Sequence, residues 1–166
     1  MFSVSPPIIR PAGQGDSPVI LAFIRELAAY EKLSHEIEVT EERLHASLFP
    51  DDGRPHAECV LACADGQPAG FALFFPTYST FVGKPGLYLE DLYVRPAFRG
   101  QGIGTALLRH VAKIAEGRGC GRKEWAVLDW NQPAVAVYER IGARRLTDWT
   151  TCRLAGDALA RFAGSD

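Results

Sequence analysis

The chain has 166 residues, of which 47% are hydrophobic and 23% charged, a composition that suits one globular domain with a sizeable core. Its formal net charge is −2 and its pI is about 6.1, so the strongly positive field of a nucleic-acid-binding protein is absent. No apolar run reaches the roughly 18 residues of a membrane span. The N-terminus also lacks a basic region followed by an apolar one, so we expect a cytoplasmic protein with no membrane partner.

The cysteines and histidines are too scattered to indicate a metal site. Cys59-x-x-x-Cys63 has no second pair of cysteines or histidines that would complete a zinc site. We therefore expect ordinary thiols and no bound metal.

The first part of the chain predicts one strand and two helices. The strand covers residues 8–12 and ends in a Pro- and Gly-containing loop. Ser17 before Pro18 predicts the start of a helix, and apolar residues recur with a period of 3.6 to about Lys32. Thr40 can cap a second, short helix whose leucines at 44 and 48 face inward.

A hairpin and a third strand are predicted next. The two hairpin strands cover residues 58–64 and 69–76, and Asp65-Gly66 joins them because both residues tolerate a positive φ. A loop over 77–86 leads to the strand over 87–94, which Pro96 closes because proline has no N–H to donate.

A glycine-rich turn separates this strand from a helix that is predicted to end at Gly117 or Gly119. Gly100, Gly102 and Gly104 let the backbone turn tightly at the positive end of the helix dipole, where phosphate binds. A Walker loop is excluded because Thr105-Ala106 follows the last glycine in place of Lys and Ser or Thr. The spacing and the late position also disagree with a dinucleotide-binding fingerprint.

The remaining elements complete a mixed sheet. A strand is predicted over 123–130, a helix from Asn131 with Gly142 as its left-handed cap, closing strands over 144–146 and 150–154, and a helical turn over 157–162. The resulting order is β-α-α-β-β-β-α-β-α-β-β. Only the crossover through the third helix requires parallel neighbours, so an α/β fold with a mostly antiparallel sheet is expected.

The glycine turn resembles the acetyl-CoA motif of the GNAT acyltransferases, (Arg/Gln)-x-x-Gly-x-(Gly/Ala), here Arg99-Gly100-Gln101-Gly102-Ile103-Gly104 preceded by Val94-x-Pro96. The element order is similar to that family from about residue 8 to 155, within a single domain. Residues 25–33, 88–94 and 127–132 resemble the diamine and thialysine acetyltransferases, and the last stretch favours the thialysine branch.

This resemblance implies that acetyl-CoA is the co-substrate. The residues that would hold its pyrophosphate are Arg99, Gly100, Gln101, Gly102, Ile103, Gly104 and Thr105. Backbone groups of Leu92, Tyr93 and Val94 would bind the acetyl and pantetheine portions, where an N–H can polarise the thioester carbonyl as an oxyanion hole does. Asn131 would cap the helix or hydrogen-bond the pantetheine arm, and it could do both at once.

The chemistry of such an enzyme requires a proton acceptor, because an alkylammonium has a pKa near 10.4 and its deprotonation at pH 7 costs on the order of 4–5 kcal/mol. The resemblance assigns this role to Glu90, acting through water, and the role of general acid to Tyr138. The alternative for Glu90 is an exposed carboxylate on the strand with no catalytic role. The alternative for Tyr138 is a tyrosine that only packs against its neighbours. Strand alternation predicts that Asp91 points to the opposite face from Glu90 and cannot share its role.

For the acceptor, the resemblance implies that Tyr30 and Glu31 contact a small-molecule amine, although Glu31 could instead be a solvated helix charge. The polyamine enzymes have an additional aspartate where this chain reads Tyr78-Ser79, so a smaller, lysine-like acceptor is expected. Polyamine and protein-lysine acetylation remain alternatives. A non-catalytic acyl-CoA-binding module would not require Glu90 and Tyr138 together, so the presence of both argues against this alternative. The resemblance also suggests a homodimer.

Overall fold

The computed structural model describes residues 6–164, which form helices and one five-stranded sheet. The strands and helices are β1 (Ile8–Pro11), α1 (Ser17–Tyr30), α2 (Glu41–Leu48), β2 (Glu58–Ala64), β3 (Gln67–Ser79), β4 (Lys84–Val94), α3 (Ile103–Gly117), β5 (Arg122–Trp125), α4 (Gln132–Arg140) and α5 (Gly156–Ala163). The chain divides into two compact units, one ending at Ala126 and one beginning at Val127. Within residues 6–164, no helix is both long and apolar enough to cross a membrane.

The first unit contains the whole sheet, in the order β1-β2-β3-β4-β5. The first three pairs of neighbours are antiparallel, and β4 and β5 are parallel because α3 connects them. The prediction of a mixed, mostly antiparallel sheet is confirmed.

One face of this sheet packs against α1 and α2. The buried cluster there consists of Ile20, Leu21, Phe23, Leu44, Leu48, Cys59, Leu61, Phe71, Leu73 and Tyr93. The rings of Phe23 and Phe71 stack with their centroids 5.3 Å apart. The apolar stripe of α1 and the inward leucines of α2 therefore lie where the sequence periodicity predicts. Thr40 caps α2 as predicted, since its hydroxyl accepts a hydrogen bond from the Arg43 N–H at 3.3 Å.

Helix α3 packs against β2, β3 and β4 and ends at Gly117, as predicted. Its buried side chains are Ile103, Leu107, Leu108, Val111 and Ala115. Leu107 and Val111 belong to the predicted apolar face, whereas Ala106, His110 and Ile114 are only half-buried.

The predicted turn between β2 and β3 is confirmed. The loop between β3 and β4 is shorter than predicted. Asp65 and Gly66 have φ values of 50° and 74°. Strands β3 and β4 each extend three residues further than predicted, because the ladder continues to the pair Ser79↔Lys84. The expected loop over 77–86 therefore reduces to residues 80–83, and Tyr78 and Ser79 belong to β3.

In the C-terminal part of the chain, the structure has less strand than the sequence predicts. Strand β5 ends at Trp125, and residues 143–155 form neither strand nor helix. The predicted strands over 144–146 and 150–154 are exposed. Strand propensity measures how well a side chain fits the pleated, half-buried surface of a sheet. These residues are not paired with a strand in the described chain, so they have no such surface to pack on. Helix α4 and its cap are as predicted, with Gly142 at φ 87°.

Candidate active site

Strand β4 carries a bulge at Glu90. In the ladder with β3, Leu73 lies opposite Asp91 but the next residue, Phe74, lies opposite Leu89. Glu90 is therefore an extra residue with no partner on β3, and its side chain is exposed. Bulges re-aim side chains and are common beside active sites.

The bulge overturns the prediction that Asp91 faces away from Glu90. Opposite residues of an antiparallel pair share a face, and Leu73 belongs to the cluster beneath α1 and α2, so Asp91 lies on that side too. Phe74 follows Leu73 and so lies on the other face, which its partner Leu89 shares. Glu90 follows Leu89 and returns to the α1 side. Both carboxylates are thus on the α1 side of β4.

The edge of β4 that faces β5 is open beyond Leu89. The pairing with β5 covers residues 86–89 and stops at Leu89↔Trp125, whereas β4 remains paired with β3 as far as Val94. No strand of the described chain covers residues 90–94 on this edge. Leu92, Tyr93 and Val94, whose backbone groups are predicted to bind pantetheine, lie in this segment without a strand partner on that edge.

The glycine turn forms the N-terminus of α3. Gly100 and Gly102 have φ values of 76° and 77°, and a Cβ atom built on either one meets no protein atom within 4 Å. The first helical hydrogen bond is donated by the Ala106 N–H to the Gly102 carbonyl, so the N–H groups of the three preceding residues have no partner in the helix. Open space and free donors at a helix N-terminus fit a pyrophosphate.

Gly104 does not contribute a left-handed residue to the turn, contrary to the prediction. It lies in the first turn of α3 with a helical backbone, and an added Cβ atom would be 3.8 Å from Val94 Cγ2, an ordinary contact. The side chain of Ile103 is buried in the core, so only its backbone can contribute to the turn. The tight turn therefore needs glycine at two positions and not at three.

Arg99 connects the glycine turn to the end of α1. Its Nε donates to the Val94 carbonyl at 2.9 Å, and its guanidinium carbon lies 4.9 Å from the ring centroid of Tyr30 and 5.6 Å from that of Tyr93. The candidate cofactor arginine and the candidate acceptor tyrosine are thus in contact.

The acceptor candidates Tyr30 and Glu31 lie at the C-terminal end of α1, where Tyr30 is the last helical residue and Glu31 the C-cap. Burial raises the pKa of Glu31. Ser79, which stands where the polyamine enzymes have an acid, is buried, and its hydroxyl accepts a hydrogen bond from the Val82 N–H at 3.2 Å. Its side chain is thus engaged in the β3–β4 turn.

Arg95 holds the end of β4 against α1, a contact that the sequence analysis missed. Its Nη2 lies 2.9 Å from Glu26 Oε1, its Nη1 donates to the Pro68 carbonyl at 3.0 Å, and its guanidinium carbon lies 4.6 Å from the Phe23 ring centroid. Glu26 and Arg95 are far apart in sequence, and no local pattern pairs them.

Asn131 and Tyr138 belong to the second unit. Asn131 precedes α4, and its backbone carbonyl accepts the Val135 N–H at 3.1 Å, so it is the N-cap by position. Tyr138 lies near the end of α4 and is half-buried. Among residues 6–164, no group of three or more His, Cys, Asp or Glu side chains is arranged to hold a metal ion.

Known proteins resemble this chain along most of its length. The sequence model of the acetyltransferase (GNAT) family matches residues 23–143. A thialysine N-epsilon-acetyltransferase from Sus scrofa is 43% identical, with 95% of this chain and 97% of that protein covered. An L-ornithine N5-acetyltransferase from Arabidopsis thaliana is 33% identical, with 91% and 85% covered.

Solved structures resemble the fold. An integron cassette protein from the mobile metagenome of V. cholerae superimposes with a TM-score of 0.77 at 25% identity, over 96% of this chain and 98% of that one. The family match, the curated relatives and the open glycine turn agree, and the chain belongs to the GNAT acetyltransferase family as an acetyl-CoA-dependent N-acetyltransferase.

Proposed function

We propose that this enzyme acetylates the side-chain amine of a small, lysine-like acceptor. The observation that carries the proposal is the position of Glu90 at the bulge, on the same side of the sheet as α1, whose C-cap is the partly desolvated Glu31. Two carboxylates suit an acceptor with a reacting ammonium and one further ammonium. The substrates named for the Sus scrofa and Arabidopsis thaliana relatives are amino acids whose side chains end in a primary amine, which supports the same class.

In the proposed mechanism, Glu90 accepts the proton of the attacking ammonium through a water molecule. The amine nitrogen then attacks the thioester carbonyl, whose oxygen is polarised by a backbone N–H in the segment Leu92, Tyr93 and Val94. The bond from carbon to sulfur breaks, and Tyr138 donates its proton to the departing thiolate. The second proton that the nitrogen loses on becoming an amide returns through solvent to the Tyr138 oxygen. No covalent enzyme intermediate is required.

The cofactor-binding residues of this proposal are those of the open edge and the glycine turn, with Asn131 on the pantetheine arm. The turn residues Gly100 and Gly102 leave room for a phosphate group. Arg99 donates to the Val94 carbonyl through its Nε, and its guanidinium can add a charge to the N–H donors. The family match covers parts of both units, which supports one catalytic domain. The cytoplasmic location stays a prediction.

A panel of amines with acetyl-CoA, read as release of free thiol, tests the proposal. Thialysine and lysine should give a higher kcat/KM than spermine or a lysine-containing peptide. A preference for spermine would favour the polyamine alternative, and a preference for the peptide would favour protein-lysine acetylation.

We expect Glu31→Gln to weaken kcat/KM for thialysine more than for a monoamine of similar length. The difference should be roughly 1–3 kcal/mol, the size of a charge-assisted hydrogen bond. Measuring both enzymes on both amines gives a double difference in which effects on folding and on acetyl-CoA binding cancel. Glu116→Gln, an exposed change on α3, is the matched control and should affect neither amine. Equal losses on both amines would remove Glu31 from acceptor recognition.

We also propose that the enzyme is a homodimer. In the first unit, the tip of the β3–β4 hairpin exposes 97% of Phe81 and 65% of Tyr78, and the second unit exposes 77% of Trp149 and 75% of Phe162. Contiguous apolar patches mark interaction sites, and the hairpin tip places Tyr78, Phe81 and the 49% exposed Val82 within five residues of one another. Light scattering should give twice the mass of the chain at micromolar concentration, and Phe81→Ser should shift the protein toward monomer. A monomeric mass for the parent protein would contradict the proposal.

A further inference from the structure

Arg95 occupies the junction between the open edge of β4 and the glycine turn. It directly follows Val94, the last residue of β4, and its N–H donates to the Ala69 carbonyl at 2.9 Å. Its own carbonyl accepts the Phe98 N–H at 2.9 Å, which closes a single 3₁₀ turn before Arg99. The position of Arg95 therefore sets where the candidate pantetheine-binding edge ends and where the candidate pyrophosphate turn begins.

The side chain of Arg95 joins this junction to α1 through a forked pairing with Glu26. Its Nε lies 3.1 Å from both oxygens of the Glu26 carboxylate, and its Nη2 donates to Oε1 at 2.9 Å. Its Nη1 donates to the Pro68 carbonyl at 3.0 Å, so each guanidinium nitrogen is hydrogen-bonded. Charge-assisted, forked pairs of this kind are stronger and more directional than contacts of a single ammonium group. The pair is therefore suited to fixing the distance between β4 and α1.

This pairing lies in the half of α1 that the core holds least. The buried residues of α1 all belong to its first half and are Ser17, Ile20, Leu21 and Phe23. Residues 24–30 are half-buried or exposed, and the acceptor candidates Tyr30 and Glu31 lie at their end. Apolar burial stabilises packing in proportion to the area removed from water, so this second half depends more on specific polar contacts. Arg95 supplies such a contact.

A second contact holds α1 one helical turn further on. Tyr30 follows Glu26 by four residues and so lies on the same face of the helix. The guanidinium carbon of Arg99 lies 4.9 Å from the Tyr30 ring centroid, and Arg99 in turn follows Arg95 by four residues. Arg99 is a candidate ligand of the pyrophosphate, whereas the guanidinium nitrogens of Arg95 are engaged by Glu26 and Pro68. Arg95 therefore connects α1 to β4 without being a cofactor ligand.

We propose that Arg95 is a positioning residue: through Glu26 it holds the second half of α1, with Tyr30 and Glu31, at the distance from the open edge of β4 that acetyl transfer requires. Neither Arg95 nor Glu26 touches acetyl-CoA or the amine in this arrangement. Reacting atoms must be held about 3–3.5 Å apart, and a displacement of about 1 Å can cost about 10²-fold in rate. The inference rests on the proposed function, because it assigns the acceptor to the end of α1.

The decisive variant is Arg95→Met, which keeps an unbranched apolar side chain over the Phe23 ring and removes the hydrogen bonds to Glu26 and Pro68. We expect kcat/KM for thialysine to fall about ten- to a hundredfold, because the amine is then held in the wrong place. The affinity for acetyl-CoA, measured by calorimetry, should stay close to that of the parent. The backbone hydrogen bonds of Arg95 and the contacts of Arg99 do not depend on the substituted side chain.

A change in selectivity separates positioning from loss of stability. In the parent, Glu31 should favour thialysine over a monoamine of similar length, and Arg95→Met should reduce this preference because it displaces Glu31. A variant that is only less stable should lose activity on both amines by the same factor. Arg95→Lys keeps the charge but not the fork, so it should recover part of the preference.

The matched control is Arg118→Met. Arg118 pairs with Glu58 through hydrogen bonds of 2.6 Å and 2.7 Å, and its side chain is 43% exposed, against 31% for Arg95. This pair joins the end of α3 to β2 and includes no candidate site residue. Both methionine variants should lose comparable stability in thermal melts, whereas Arg118→Met should keep the parent kcat/KM and selectivity.

The outcomes distinguish the two proposals. If the parent prefers thialysine and Arg95→Met keeps its kcat/KM, or loses activity equally on both amines, the positioning role is overturned and the proposed function stands. If the parent prefers spermine or the peptide, the proposed function is wrong, and the kcat/KM of Arg95→Met on that acceptor decides the role of Arg95. Should Arg95→Met fold poorly, Glu26→Gln breaks the same pair from α1, with Glu58→Gln as its control.

Discussion

Replacing Tyr138 with phenylalanine is expected to lower kcat by about 10²- to 10⁴-fold, the range for loss of a general acid. The departing thiolate then has no positioned proton donor, while the aromatic ring is retained. Tyr138 is half-buried on α4, so removing one oxygen atom should leave the thermal unfolding midpoint close to that of the parent. Steady-state kinetics with thialysine and a melting curve test both parts of this expectation.

The matched control for this change is Tyr78→Phe, which removes a hydroxyl from a tyrosine that is 65% exposed on β3. Its kcat should equal that of the parent. Single-turnover kinetics must first show that chemistry limits the rate, because slow product release would mask a change at the chemical step. If chemistry is limiting and Tyr138→Phe stays within threefold of the parent kcat, Tyr138 has a packing role.

Local features of the fold were predictable because each depends on neighbours in sequence. The Asp65-Gly66 turn needs two positive φ angles, and the Thr40 cap needs only the N–H three residues ahead. The prediction of strands over 144–146 and 150–154 is wrong because strand propensity carries no information about whether a partner strand is present. The extension of β3 and β4 past residue 76 likewise depends on cross-strand pairing.

The site was predictable in its residue types and not in its geometry. The glycine turn is a contiguous motif, so its position follows from sequence, whereas the restriction of the left-handed backbone to Gly100 and Gly102 does not. A bulge is set by the register of two strands, and the pairing of Phe74 with Leu89 has no local sequence pattern. Simple alternation therefore misplaced Asp91. The contact of Arg99 with Tyr30 joins residues far apart in the chain, which no spacing rule connects.

Replacing Gly102 with valine is expected to weaken the binding of acetyl-CoA at least tenfold, or about 1.4 kcal/mol. Gly102 has a φ of 77°, and for a residue with a side chain the left-handed conformation costs roughly 1–2 kcal/mol. A Cβ atom at this position meets no protein atom within 4 Å, so it would occupy the open space in front of the helix N-terminus. The branched side chain should therefore keep the pyrophosphate away from the N–H donors of the turn.

The control for backbone strain is Gly119→Val. Gly119 has a φ of 69° and equally open surroundings, and it follows α3 at the end remote from the turn. Both variants should lose comparable stability in thermal melts, because both force valine into the same region of φ. Only Gly102→Val should lose affinity for acetyl-CoA in calorimetry. Equal affinities for the two variants would show that the turn does not hold the pyrophosphate, and the role assigned to Arg99 and the glycines would have to be abandoned.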